Sequence, residues 1–191
     1  MREAVAGIFV GGKGSRMAGA AKGLLVSPSG ESILASQRSA LSRIGVPHVL
    51  VGEHPAYAAE GIEILRDDPR ADGPLGGLLA LLDRARGGYA IVLACDMPFV
   101  DERALRRLLE APTARAVAPR RAGRWEPFFA RYDAGLTLPI AATLAAQGVR
   151  SLQTLLDRAE AHELDLDLGA EVLDDWDTPE DLRGRGASSE C

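Results

Sequence analysis

Between Val10 and Lys22 the chain sets flexible backbone beside positive charge: Val10-Gly11-Gly12-Lys13-Gly14-Ser15-Arg16-Met17, and then Lys22. With no Cβ to obstruct them, successive glycine N–H groups can turn toward one anion, while Arg16 and Lys22 add charge where phosphate oxygens would crowd. That is the chemistry of a triphosphate cradle. Two other phosphate motifs fail on spacing. A Walker A loop requires Gly-x-x-x-x-Gly-Lys-Ser/Thr, and a dinucleotide fingerprint counted from Gly12 and Gly14 needs a third glycine where Met17 stands, which disfavours a dinucleotide oxidoreductase. A glycine-rich turn between strand and helix is the ordinary use of such a stretch, and the placement of its cations argues for more.

Carboxylates supply the complementary half. Asp96 ends the apolar run Tyr89 to Cys95, where its oxygen is placed to hold a Mg²⁺ that keeps waters and phosphate oxygens as its other ligands. Taken alone, Asp96 is equally suited to cap a helix or turn ahead of Asp101. Asp177, far along the chain, offers a second metal oxygen, and Asp67 and Asp68 follow another short apolar run.

These groups need elements that bring them together. Ala4 to Val10 reads as a buried strand, Ser32 to Ile44 as a helix, His48 to Val51 and Ile62 to Leu65 as short strands. A helix from Leu75 or Gly76 to Ala85, a central strand from Tyr89 to Cys95 and a helix from Asp101 to Glu110 follow. Such alternation predicts an α/β fold, a single-domain three-layer α/β/α sandwich with a Rossmann-like, mostly parallel sheet. In open sheets of this kind the ligand crevice lies beyond the carboxyl ends of the strands, where Val10, Asp67, Asp96 and Asp177 all fall. The later half reads as a strand at Arg115 to Ala118, an extended Trp125 to Tyr132, helices at Leu136 to Gln147 and Ser151 to Ala159, and a last strand at Ala161 to Leu166. Thr178, Pro179 and Asp181 have the spacing of a capped helix start. One domain over residues 1–183 and a disordered tail over 184–191 are expected.

Composition narrows the partners. At 191 residues, with 47% hydrophobic and 26% charged residues, the chain suits one well-cored domain. A net charge of −5 offers no overall attraction to nucleic acid or an anionic membrane, so any anion site must be local. No apolar run approaches the roughly 20 residues that cross a bilayer, and the first residues lead into a strand instead of a signal peptide, so a cytoplasmic protein is expected. Cys95 and Cys191 make neither a disulfide framework nor a cysteine metal cluster, and His48, His54 and His162 are scattered.

Four segments, in order, resemble the molybdenum cofactor guanylyltransferases, the MobA-like nucleotidyltransferase family. Phe9 to Lys22 is similar to Leu-Ala-Gly-Gly-x-x-x-Arg-Met-Gly-x-x-Lys, and Arg66-Asp67-Asp68-Pro69 with Gly73-Pro74-Leu75-Gly76-Gly77 resembles Asp-x-x-x-x-x-Gly-Pro-Leu-Ala-Gly. Cys95-Asp96-Met97-Pro98-Phe99 and Trp176-Asp177-Thr178-Pro179-Glu180-Asp181-Leu182 look like two further family segments. Departures are specific: Ala21 and Gly52 stand where the family has aspartate and asparagine, and Asp175 and Asp177 replace two asparagines.

The resemblance implies a sheet of the nucleotidyltransferase type and a Mg²⁺-dependent enzyme that joins GMP from GTP to the terminal phosphate of molybdopterin cofactor and releases pyrophosphate. It implies catalytic roles for Arg16, Lys22 and Asp96. Nucleotide contacts fall at Val10, Gly11, Gly12, Lys13, Gly14, Ser15, Arg16, Lys22, Asp67, Gly73, Pro74, Leu75, Gly76 and Asp96. Metal contacts fall at Asp96 and Asp177. Arg120 and Arg150 match segments on the acceptor side, where an ordinary solvated basic cluster is an equal alternative. GTP and molybdopterin are the expected partners, with transient contact to cofactor-delivering or molybdoenzyme-maturation proteins. A cytidylyl- or sugar-nucleotide transferase on the same scaffold, and a nucleotide-binding accessory protein without catalysis, remain alternatives.

Overall fold

A computed structural model describes residues 2–10, 21–27, 30–166 and 170–176. The expected segments 11–20 and 177–191, which hold most of the glycine cradle, Asp177, the helix start at Thr178 and the tail, lie outside the described residues.

Nine strands and five α-helices are formed among them. In chain order they are β1 (Ala4–Phe9), α1 (Ile33–Arg43), β2 (His48–Val51), β3 (Ile64–Leu65), α2 (Pro74–Arg84), β4 (Tyr89–Ala94) and α3 (Glu102–Glu110). After these come β5 (Ala116–Ala118), β6 (Arg120–Arg121), β7 (Arg124–Trp125), β8 (Phe129–Asp133), α4 (Ala134–Ala146), α5 (Leu152–Arg158) and β9 (His162–Glu163). Local chemistry sets the helix starts. Ser32, Asp101, Asp133 and Ser151 each accept a hydrogen bond from the backbone N–H three residues on, satisfying donors that a helix start leaves open. At α2, Gly73 takes a left-handed φ of 69° and Pro74 occupies the first turn.

The sheet runs β3-β2-β1-β4-β8-β5-β9. β1 lies parallel to β2 and β4, β2 to β3, and β5 to β9, whereas β8 is antiparallel to both β4 and β5. Side chains on β4 alternate as a doubly covered strand requires. Ala90 and Val92 pack with Leu75, Leu78 and Leu82 of α2 and with α4 and α5 on one face, and Ile91 and Leu93 pack with Leu34, Leu41, Leu105 and Leu108 of α1 and α3 on the other. The three-layer, mostly parallel sandwich is as expected.

Two expectations are revised. The extended run Trp125 to Tyr132 is broken: Arg124–Trp125 belongs to a separate hairpin with β6, and only Phe129–Asp133 joins the sheet. Pro127 has no ladder donor, and Phe129 N–H bonds Glu126 O at 3.1 Å to close a turn there. The strand expected from Ala161 to Leu166 shortens to His162–Glu163, which has β5 as its neighbour at the sheet edge.

β8 is locked in place by a buried cation. Arg131 donates to the carbonyls of Leu109, Ala111 and Pro112 at the end of α3 and lies 4.4 Å from the Tyr89 ring centroid, and burial lowers its pKa. Arg2 pairs with the buried Asp133 and lies over the same ring.

Candidate active site

The open end of the sheet collects strand-terminal residues from β1, β4 and β5. Val10 is buried there and donates to Val51 O at 2.9 Å, carrying the chain out of β1. Where the chain returns, Lys22–Leu24 form a single 3-10 turn. Gly23 N–H donates to Tyr57 Oη at 2.9 Å, and Tyr57 in turn donates to Cys95 Sγ at 3.8 Å. Burial raises the pKa of both groups, the Cys95 thiol to about 11, so each stays neutral at physiological pH.

That anchoring sets Lys22 Nζ 2.9 Å from Asp96 Oδ2, with the two side chains 19% and 18% exposed. A pair so far withdrawn from water is held more firmly than a surface bridge, yet each partner still meets solvent. The helix-cap role available to Asp96 on sequence is taken by Asp101, which accepts from Ala104 N–H at 2.8 Å. Asp96 is left as a rim carboxylate. From below, Gln37 on α1 donates Nε2 to Ala94 O at 2.8 Å and to Met97 O at 3.1 Å, bracing the turn that carries Asp96. From the far end of the chain, Trp176 N–H donates to Asp96 O at 2.9 Å, so the segment leading into Asp177 is tied to the same turn.

On the other side of the rim two adjacent aspartates part ways. Asp68 accepts from Arg70 at Nε (2.9 Å), Nη2 (2.7 Å) and N–H (2.8 Å), and these bonds hold its carboxyl below the usual range. Asp67 is exposed and makes no hydrogen bond or ion pair among the described residues. Partial burial, helped by the charge of Glu53, raises its pKa. Behind it, Gly76 and Gly77 are packed to the limit, while Gly73 faces open space. A Cβ on Gly76 would lie 2.4 Å from Ala71 O and 3.1 Å from Asp68 O, and one on Gly77 would lie 3.1 Å from Asp67 Oδ1. Leu75, another of the expected nucleotide contacts, is fully buried and presents no surface to a ligand as it stands.

The expected acceptor arginines are each occupied locally. Arg120 lies with its Cζ 3.8 Å from the Trp125 ring centroid, donates to Gly123 O at 2.9 Å and approaches Glu163 at 3.7 Å. Arg150, just before α5, pairs with Asp72 at 2.6 Å beside Gly73, both side chains being exposed. Arg16 and the amides of Gly11 to Ser15 lie outside the described residues.

Sequence reasoning missed Gln37 and Tyr57. Gln37 carried a faint signal, a polar residue at helical spacing between Leu34 and Leu41 on the face that α1 buries. Tyr57 carried none, since its partners are 34 and 38 residues distant in sequence.

A bound divalent ion must be compatible with these residues. Among the described residues no three His, Cys, Asp or Glu side chains gather as a ligand set. Mg²⁺ suits such a place better than a metal needing a full protein cage, because it is held by one or two carboxylates and keeps water and phosphate oxygens. Asp96, whose Oδ2 here pairs with Lys22, has a carboxylate of the kind such an ion needs, and Asp177 lies outside the described residues.

Comparison with known proteins identifies the family and the fold. Residues 6–163 match the MobA-like NTP transferase domain family. A molybdenum cofactor guanylyltransferase of Pseudomonas putida is 34% identical over 185 residues, covering 92% of this chain and 94% of that one. Its Pseudomonas aeruginosa counterpart is 33% identical over 180 residues, with 91% and 89% covered. Among solved structures, a molybdopterin-guanine dinucleotide biosynthesis protein A from Archaeoglobus fulgidus superposes with a TM-score of 0.73 at 23% identity, covering 94% of this chain and 95% of that one. A 4-diphosphocytidyl-2C-methyl-D-erythritol synthase shares the fold at a TM-score of 0.65 and 13% identity, with 96% of each chain covered.

Proposed function

The chain belongs to the MobA-like NTP transferase domain family, and we propose that it transfers GMP from GTP to the terminal phosphate of molybdopterin cofactor, forming the guanine dinucleotide and releasing pyrophosphate. An oxygen of the acceptor phosphate attacks the α-phosphorus of GTP. The bond from that phosphorus to the bridging oxygen breaks, and the electron pair leaves with pyrophosphate. No protein nucleophile is needed, so the chain contributes alignment and charge neutralisation.

One observation carries this reading: a carboxylate at the open end of the central strand, Asp96, stands 2.9 Å from the cation of Lys22. In this reading Asp96, with Asp177 as a second oxygen, would hold Mg²⁺, which would supply charge to offset that of the phosphates. Lys22, released from Asp96 as phosphate arrives, faces the charge that grows on the departing pyrophosphate. Arg16 and the amides of Gly11 to Ser15 serve the same end. Asp67, with no partner among the described residues, accepts hydrogen bonds from the nucleoside, and the tight packing at Gly76 and Gly77 sets how near a base can approach. Arg120 and Arg150 receive the acceptor, exchanging their present partners for its phosphate.

The experiment is incubation with α-labelled GTP, Mg²⁺ and molybdopterin. Label should enter a dinucleotide product and require all three components. Label transferred from CTP and not from GTP would overturn the base assignment, and GTP binding without pyrophosphate release in the presence of acceptor would make this an accessory protein. No helix among the described residues is long and apolar enough to cross a membrane. Cytoplasmic action and hand-over to maturation proteins belong to this proposal as well.

A further inference from the structure

Arg121 has no assigned part in this scheme, yet it joins two segments of the rim that are distant in sequence. Its Nε donates to Glu126 Oε1 at 2.8 Å, while Nη1 and Nη2 stand 3.7 Å from Asp174 Oδ1 and Asp175 Oδ1. Glu126 belongs to the β6–β7 side, where its own N–H bonds Pro119 O at 2.9 Å. Asp174 and Asp175 belong to the strap that ends at Trp176, whose N–H bonds Asp96 O at 2.9 Å and whose buried ring meets Phe99 edge-on at 6.3 Å. One guanidinium therefore faces three carboxylates at the place where the strap reaches the turn of Asp96. Three negative charges beside the turn that carries Asp96 would repel an incoming triphosphate and offer a divalent ion a competing site. Asp175 sharpens the problem, because the resembling family carries a neutral asparagine at this position.

We propose that Arg121 is a positioning residue: it fastens the 174–176 strap against the turn of Asp96 and offsets the charge of Asp175, so that the metal and the nucleotide meet Asp96 instead of the surrounding acids. The proposal rests on the transferase reading for its kinetic part and on geometry alone for its structural part.

Four proteins test it: wild type, Arg121→Gln, Asp175→Asn and the double variant. In Arg121→Gln, hydrogen exchange at the Trp176 amide should quicken about tenfold, the scale for losing a partly buried network of ion pairs. KM for Mg²⁺·GTP should rise about tenfold and become more salt-dependent, with kcat changed less than about threefold. Adding Asp175→Asn should return KM to within about threefold of wild type, while Asp175→Asn alone shifts it less than about twofold. A merely structural bridge would lower the melting temperature without that charge rescue. Unchanged exchange at Trp176, or a KM that Asp175→Asn fails to restore, overturns the proposal. If Arg121→Gln does not fold, Arg121→Lys keeps the charge but cannot span three acceptors, and should show the same changes at smaller size. Were wild type to make no dinucleotide, the transferase reading would fall, and exchange at Trp176 would still decide whether Arg121 fastens the strap.

Discussion

From β3 to β4 the open end of the sheet leaves polar groups facing outward, whereas from β8 to β9 it closes them on one another. In the first region Asp67 has no partner among the described residues and Asp96 meets Lys22 at a partly exposed contact. In the second, Arg121 faces three acids and Arg120 is stacked on Trp125 and drawn toward Glu163. The difference teaches where each kind of chemistry is stored. A group with no partner among the described residues, such as Asp67, can be claimed by a ligand at little cost, and Asp96 by giving up its bond to Lys22. Cross-paired groups hold chain segments in register and must exchange a partner before they can bind.

That contrast can be broken most sharply at Asp96. Asp96→Ala should lower GMP transfer by about a thousandfold or more, roughly 4 kcal/mol, while the melting temperature stays within a few degrees of wild type, since Asp101 does the capping. Full transfer by the folded variant would remove the metal assignment. Next in size is Gly76→Val. Its Cβ would fall 2.4 Å from Ala71 O, so the turn behind Asp67 must shift, at a cost of about 2–4 kcal/mol in unfolding free energy and with loss of GTP affinity. Denaturant unfolding and nucleotide titration together separate the two effects.

Asp67→Asn is smaller and has a defined sign. Burial and Glu53 raise the native pKa of Asp67, so its contribution to stability is present at low pH and is lost as pH rises through that raised value. Asparagine removes this penalty. At neutral pH the free variant should melt no lower than wild type, while GTP binding weakens about tenfold through loss of a charged acceptor. Wild-type GTP affinity should also fall as pH drops through the native pKa of Asp67, and the variant should lose that dependence. Asp68 sets the opposite trend one residue away: its lowered pKa gives stability above the ordinary aspartate range that is lost in acid. The smallest effect is expected at Arg150→Ala. Its exposed pair with Asp72 is worth less than about 1 kcal/mol to the fold, so a severalfold rise in acceptor KM with unchanged melting would place Arg150 on the binding path. An unchanged KM would leave it a surface bridge.

Much of the architecture was legible because it is written at short range. Ser32, Asp101 and Ser151 cap helices that begin within a residue of their expected starts, and β2 has its expected bounds. Where Pro127 interrupts a run of strand-forming residues, the sequence pattern overstates the strand, because the apolar pattern Trp125, Phe128, Phe129 continues across a turn that only a backbone bond reveals. The rim position of Asp96 was legible, since a lone carboxylate ending an apolar strand is a local pattern. Its surroundings were not. Gln37, Tyr57 and the acids around Arg121 act through partners that no local pattern pairs.

By itself the sequence determined which segments are strands and helices, and that strand-end carboxylates would share one edge, because periodicity and capping act over a few residues and parallel crossovers return each strand to the same end. Only the tertiary structure decided that β8 runs against its neighbours, that Asp67 and not Asp68 stays open, and that Lys22 meets Asp96 across 74 residues of chain. Those outcomes depend on how layers pack and which charges arrive face to face, and no window along the chain contains both partners.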